Sequence, residues 1–149
     1  MNRKTLIVIA LLVVGAVGGF LFHKDYSYRQ EHGRVVAVNL LTNYEQEVEN
    51  VHDKTVLVYF YKQEKNAPAD QAQLDVVEKF AWDNAYDVKV VKVNIAHLEN
   101  FPLMLAHGAV RTPSFVFLSH GQRVSGQAGA AADYDELKRL FGLALKPQP

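Results

Sequence analysis

The sequence predicts an α/β sandwich with a mixed central β-sheet flanked by helices, preceded by one N-terminal transmembrane helix. An uncharged apolar run extends from Thr5 to Phe22, near the start of the chain. Beyond it, Val-rich runs alternate with segments of helical periodicity, which is typical of parallel βαβ units. The last two runs flank Ser119-His120-Gly121-Gln122, a hairpin signal that adds an antiparallel edge to the sheet.

The apolar run has the length of a membrane span. At 1.5 Å per residue it measures about 27 Å, close to the thickness of a hydrocarbon core. Arg3 and Lys4 precede it, and the positive-inside rule then keeps the N-terminus in the cytoplasm. We therefore expect a single-pass protein of the inner (cytoplasmic) membrane, with its folded domain on the periplasmic, extracytoplasmic side.

Two alternatives compete with an anchor. A cleaved signal peptide would use the small residues Ala16-Val17-Gly18, although the apolar run continues past them through residues 20–22. A buried helix of a soluble protein would carry some polar residues, and none interrupts this run. Gly15 and Gly19 have the spacing of a helix-dimerisation motif, so a homodimer is an option, but small residues are common in membrane spans and the sequence does not favour it.

Composition divides the chain into segments, and the net charge of the exported part limits the kinds of partner it is expected to bind. We assign residues 1–23 to the anchor, 24–33 to a polar spacer, 34–145 to one domain and 146–149 to a tail. The chain has 16 Lys+Arg and 16 Asp+Glu. Without Arg3 and Lys4 the count is 14 against 16, a net charge of −2. A nucleic-acid partner would require a basic face, so we expect none.

Five strands follow from apolar, β-favouring runs. They are predicted at residues 35–39, 56–61, 88–95, 114–118 and 123–127.

Four helices follow from caps and periodicity. Thr42 and Glu45 have capping-box spacing and predict a short helix to about Asn50. The pattern of Leu74, Val77 and Ala81 predicts a helix over residues 71–85. Pro102 suits the first turn of a third helix that Gly108 closes. Asp133 and Glu136 cap a last helix, whose apolar face includes Leu137 and Leu140.

Four segments in this order resemble the thioredoxin family. Residues 55–61 resemble the strand that leads to the family's active site, and residues 90–95 resemble its central strand. Residues 107–122, His-Gly-Ala-Val-Arg-Thr-Pro-Ser-Phe-Val-Phe-Leu-Ser-His-Gly-Gln, resemble the family's proline-containing stretch, and residues 129–145 its closing helix. The resemblance covers the chain from about Val36 to Leu145 and implies the thioredoxin fold.

The family's redox groups are absent from this chain. The Cys-x-x-Cys pair falls on Asn66-Ala67-Pro68-Ala69, the preceding tryptophan on Lys65, and the buried aspartate on Tyr59. Thiol–disulfide exchange needs a thiolate, and the sequence contains no cysteine. The resemblance therefore implies a protein that is not an enzyme and has no cofactor. The six histidines show no metal-ligand spacing, so we expect no metal site.

The resemblance also places a partner groove. It implies a cis peptide bond at Thr112-Pro113, with the residue before the proline offering backbone hydrogen bonds to an extended peptide. The groove is predicted to comprise Tyr61, Lys65, Asn66, Ala67, Pro68, Ala69, Arg111, Thr112 and Pro113.

Two classes of function remain open. The first is a non-catalytic, membrane-tethered binding or scaffolding module, as a subunit of or adaptor for a multi-subunit envelope protein assembly. The alternative is a redox-accessory or chaperone-like protein that assists a separate thiol oxidoreductase. A glutathione-site enzyme that uses a hydroxyl of Tyr61 or Ser114 is a further version of that alternative.

Overall fold

The computed structural model describes residues 3–65 and 70–146. A long helix α1 is followed by five strands, three further α-helices and two short helical turns. In chain order the elements are α1 (Arg3–His32), β1 (Val35–Ala37), a π-helical turn (Glu45–Glu49), β2 (Thr55–Tyr61), α2 (Gln71–Asp83), β3 (Val88–Asn94), a 3-10 turn (Leu98–Asn100), α3 (Phe101–Ala106), β4 (Ser114–Ser119), β5 (Gln122–Ala128) and α4 (Tyr134–Ala144).

The strands form one mixed sheet in the order β1-β3-β2-β4-β5. β3 pairs in parallel with both β1 and β2, whereas β4 is antiparallel to β2 and to β5. Each face of the sheet carries a hydrophobic core. Leu57, Phe80, Phe117 and Leu137 are buried on the face that α2 and α4 cover. Val58, Val91, Leu103 and Met104 are buried on the face that α3 covers. The predicted α/β sandwich is confirmed.

Local chemistry explains the turns and caps that the sequence indicated. The Asp133 carboxylate accepts a hydrogen bond from the Glu136 backbone N–H at 2.8 Å and begins α4. In the β4–β5 hairpin, His120 and Gly121 have φ angles of 50° and 75°, as a two-residue hairpin turn of the primed class requires.

The predicted helix over residues 42–50 is wrong in extent and in its cap. Only Glu45–Glu49 is helical, as a π-helical turn, and its N-terminus has no side-chain cap. The Thr42 hydroxyl contacts the side chain of Asn43 instead. Asn43 Oδ1 accepts a hydrogen bond from the backbone N–H of Asn39, so these polar side chains stabilise a turn in place of a helix start.

The structure also differs from the sequence prediction at residues 24–33. The segment expected to be a polar spacer continues α1 without a break to His32. Arg29 Nη1 donates to the backbone carbonyls of Trp82 (2.6 Å) and Asp83 (3.2 Å), at the end of α2. The chain packs closely against this contact at Gly33. A Cβ atom added there would lie only 2.7 Å from the Arg29 carbonyl oxygen and 3.1 Å from Trp82 Cα. The last turns of α1 are therefore packed on the domain.

Candidate functional site

A cleft opens at the carboxyl end of β2, beside the peptide bond between Thr112 and Pro113. That bond is cis, as the resemblance implied. The cleft has a volume of about 150 Å³. Its lining combines aromatic, apolar and charged side chains: Tyr59, Tyr61, Lys62, Gln63, Asp70, Leu74, Lys92, Thr112 and Pro113.

Stacked aromatic rings form the deep wall of this cleft. Tyr59 lies between Tyr61, at 5.4 Å between ring centroids, and Phe115, at 5.1 Å. Only 3% of Tyr59 is exposed. Burial, and then the negative charge of Asp70 and the neighbouring Tyr61, raise the pKa of the Tyr59 hydroxyl to about 12. The phenol is therefore neutral at physiological pH and is a poor base.

Charged groups surround the aromatic wall. Lys92 is the β3 residue paired with Tyr59 in the sheet register, so it lies on the floor beside the two tyrosines. At the start of α2, the Asp70 carboxylate accepts a hydrogen bond from the Gln73 backbone N–H at 3.0 Å and caps the helix. Lys62 forms an ion pair with Glu64 at 2.8 Å. The cleft thus offers both an ammonium group and a carboxylate beside an apolar surface.

The structure brings only some of the predicted groove residues together. Tyr61, Thr112 and Pro113 line the cleft. Lys65 is exposed and is not among the lining residues. Arg111 also lies outside the lining; its carbonyl accepts a hydrogen bond from the Ser114 hydroxyl, and its side chain packs beside Gly129. The predictions for Asn66, Ala67, Pro68 and Ala69 concern residues outside the part of the chain that the structure describes.

Several residues that line the cleft were not predicted from the sequence to belong to the site. Lys92 belongs to a strand, and its position on the cleft follows from its pairing with Tyr59 across the sheet. Asp70 and Leu74 reach the cleft because α2 begins at its edge. The signal available for Asp70 was its place directly before the helical periodicity, which is typical of an N-cap.

Within residues 3–65 and 70–146, no group of three or more His, Cys, Asp or Glu side chains is arranged to hold a metal ion. His107 instead contacts the hydroxyl of Tyr44. Burial, and then the positive charge of Arg123, lower the pKa of the His107 imidazole. A neutral His107 next to a buried tyrosine fits a packing role.

Comparisons with known proteins bear on the fold. Neither the protein-family models nor the curated proteins gave a match. Among solved structures, a mutant thioredoxin from Halobacterium salinarum NRC-1 is 26% identical, with a TM-score of 0.62 over 79% of this chain and 96% of that chain. Thioredoxin f from spinach chloroplast, in its long form, is 25% identical, with a TM-score of 0.64 over 81% of this chain and 94% of that chain.

The N-terminal helix α1 is a second feature of the chain. In the part of the chain that is described, α1 is the one helix long and apolar enough to cross a membrane, by length and composition. The chain therefore has a thioredoxin-like fold, with no cysteine anywhere in its sequence and with one N-terminal helix that could span a membrane.

Proposed function

We propose that this protein is a non-catalytic binding module that is held at the extracytoplasmic face of the inner membrane by α1 and takes a protein partner in the cleft beside Pro113. Its role is that of a subunit of, or an adaptor for, an envelope assembly. The observation that carries this proposal is a cleft lined by Tyr61, Thr112 and Pro113 in a chain that has no thiol. The proposed role is therefore binding, since thiol–disulfide exchange requires a thiolate.

The chemistry of the cleft fits an extended segment of protein. Tyr61, Leu74 and Pro113 present apolar surface to a partner's side chains. Lys92 and Asp70 lie on the floor and at the edge, so each can pair with an opposite charge on the partner. Aromatic anchors with polar groups around them are typical of the few residues that dominate protein interfaces.

The attachment of α1 favours a cleft that is open to partners. Arg29 contacts the end of α2 at Trp82 and Asp83. That end of α2 leads into the start of β3, whereas the cleft lies at the opposite end of the sheet, where β2 finishes. β2 has seven residues and is about 20 Å long. In this arrangement the cleft points away from the membrane into the extracytoplasmic space.

A site-specific crosslink tests the proposal. A photoreactive amino acid replaces Tyr61 in the full chain, and native membranes are irradiated before purification and identification of the adduct. The matched control carries the same amino acid at the exposed Arg34, next to α1. We expect one reproducible protein adduct from position 61 and its absence from position 34.

Binding of the identified partner should then depend on the cleft. Tyr61→Ala should weaken association by at least about 1 kcal/mol, whereas Arg34→Ala should leave it unchanged. Equal adducts from both positions, or unchanged binding by Tyr61→Ala, would exclude the cleft as the binding site. An adduct with a thiol oxidoreductase would favour the redox-accessory role over a structural subunit.

A further inference from the structure

Aromatic side chains cluster where α1 meets the domain. Tyr26 of α1 makes an edge-on contact with Trp82 of α2 at 5.7 Å between ring centroids. One turn earlier, Phe22 lies 6.4 Å from Tyr26. These contacts bring the end of α2 next to the last apolar residue of the proposed span.

The geometry of α1 sets the height of this cluster above the hydrocarbon. Tyr26 follows Phe22 by one helical turn, a rise of about 6 Å. The headgroup region extends about 5–8 Å beyond each side of the hydrocarbon core. If Phe22 lies at the hydrocarbon boundary, Tyr26 and the Trp82 ring beside it lie at the height of the lipid headgroups.

The first turns of α4 belong to the same surface. Tyr134 and Lys138 line one depression together with Phe22, Tyr26 and Trp82. Tyr134 is held there because its hydroxyl donates to the Asp83 carboxylate at 2.7 Å. Lys138 is exposed and Trp82 is half-buried, so both side chains can reach the surroundings.

We propose that Tyr26, Trp82, Tyr134 and Lys138, here called the membrane-facing corner, lie among the lipid headgroups as a second membrane contact of the domain. The inference rests on the proposed function only in requiring that α1 spans the membrane. Tryptophan and tyrosine are enriched at membrane interfaces because their rings are apolar and their N–H or O–H groups are polar. The Lys138 side chain is long enough to carry its ammonium group to lipid phosphates.

Fluorescence quenching tests this contact directly, because Trp82 is the only tryptophan in the sequence. The full chain is reconstituted into phosphatidylcholine vesicles that contain either a nitroxide on the headgroup or a bromine deep in the acyl chain. We expect the headgroup nitroxide to reduce Trp82 emission by at least about twofold, and the deep bromine to have a much smaller effect, as an interfacial ring requires.

A matched single-tryptophan variant provides the control. In Trp82→Phe/Leu98→Trp the reporter moves beyond the carboxyl end of β3, to a position that is 84% exposed. β3 has seven residues and places this reporter about 20 Å farther along the sheet. Its emission should not respond to either lipid quencher.

Flotation of the same vesicles separates failure of the anchor from failure of the contact. A protein that floats with the vesicles but whose Trp82 emission is unchanged by the headgroup nitroxide would overturn the membrane-facing corner and leave the anchor intact. Equal quenching of both reporters would also overturn it. A protein that does not float would contradict the anchor, and with it both this inference and the proposed tether.

Discussion

At the scale of single residues, the cleft differs from a redox site in what replaces each reactive group. A phenol, Tyr59, stands where the resemblance to thioredoxins places an acid, and Asn66 and Ala69 stand where it places the sulfurs. Tyr59 is buried by its stacking on Phe115 and is neutral at physiological pH. The replacement therefore puts a neutral, buried phenol where the resemblance expects a group that exchanges protons.

The ionisation of Tyr59 predicts how stability changes in alkaline solution. Its pKa rises from the ordinary tyrosine value of 10.0 to about 12 in the folded protein, mainly through burial. Folding therefore favours the neutral phenol. The stability that this preference contributes is fully present below about pH 10 and is lost as the pH rises through about 12. We expect Tyr59→Phe to lose less stability than the wild type between pH 9 and pH 11.5, by about 1 kcal/mol or more.

Urea unfolding of the full chain in detergent micelles, at both pH values, measures this difference. Leu145→Ala, at an exposed position with no titrating group, is the control and should show the wild-type loss. Equal alkaline losses in Tyr59→Phe and the wild type would show that Tyr59 does not govern this range of pH.

Restoring sulfur to the chain should restore little chemistry. The wild type should not reduce insulin disulfides above the buffer rate, because it cannot form a thiolate. Asn66→Cys/Ala69→Cys should give weak activity at most, since a neutral Tyr59 cannot act as the acid–base group that the resemblance expects there. The measurement is insulin turbidity with dithiothreitol, with Asn66→Ser/Ala69→Ser as the control. Activity close to that of a thioredoxin would contradict this interpretation of Tyr59.

At the scale of secondary-structure elements, the accuracy of the sequence prediction follows the strength of the local signal. β2, β3 and β4 were predicted within about one residue because each is an apolar run buried in the sheet. α4 was predicted well because its periodic apolar face and its Asp133 cap agree. By contrast, the Thr42 capping-box spacing was misleading, since neighbouring asparagines compete for the same hydrogen bonds.

The continuation of α1 beyond the apolar run could not be predicted from composition. Residues 24–32 are polar, and their helical state depends on partners far away in the sequence. Tyr28 stacks on Tyr86 at 4.3 Å, and the Tyr86 hydroxyl donates to Asp25 at 2.7 Å. The polar composition of this segment predicts a spacer, because contacts with residues far away in the chain cannot be recognised in the local sequence. The same limit applies to the cleft, where Lys92 reaches Tyr59 through strand pairing.

Arg29 should contribute measurably to the attachment of α1. Its guanidinium donates to the Trp82 and Asp83 carbonyls and pairs with Asp25 at 3.0 Å. The bond to Trp82 is partly buried, whereas the bond to Asp83 is exposed. A hydrogen bond that involves a charged group contributes about 1.5–3 kcal/mol, so Arg29→Ala should destabilise the domain by about 1–3 kcal/mol. Arg34→Ala, whose side chain contacts Gln30 on the exposed surface, should change stability by less than about 0.5 kcal/mol.

Urea unfolding followed by Trp82 fluorescence measures both variants in the full chain. Hydrogen exchange adds a local readout, because the last turn of α2 should lose protection in Arg29→Ala while the sheet keeps it. Equal stability of the two variants would mean that α1 is only loosely attached to the domain.

At the scale of the whole molecule, the last turns of α1 pack against the domain, and this bears on whether the apolar segment is retained. The candidate cleavage site at residues 16–18 lies in the middle of a helix that runs unbroken from Arg3 to His32. Cleavage there would leave the apolar residues 20–22 at a new N-terminus directly before the membrane-facing corner. A retained helix instead connects the span to the contacts of Arg29 and Tyr28 without a flexible joint.

We therefore expect the mature protein to retain residues 5–22 and to resist carbonate extraction from membranes. Intact mass and N-terminal sequencing of the protein from native membranes test retention, and protease added to the periplasmic face tests the side on which the domain lies.

Two variants test whether the apolar segment holds the protein in the membrane. Val13→Lys/Val14→Lys should release the protein on carbonate extraction, since charges at the centre of a span cost about 2.5–3.5 kcal/mol each. Leu145→Lys, exposed at the end of the domain, is the control and should resist extraction like the wild type. An N-terminus near Gly19 would instead identify residues 1–18 as a cleaved signal peptide. The domain would then be free of the bilayer, and the orientation of the cleft away from the membrane would lose its physical basis.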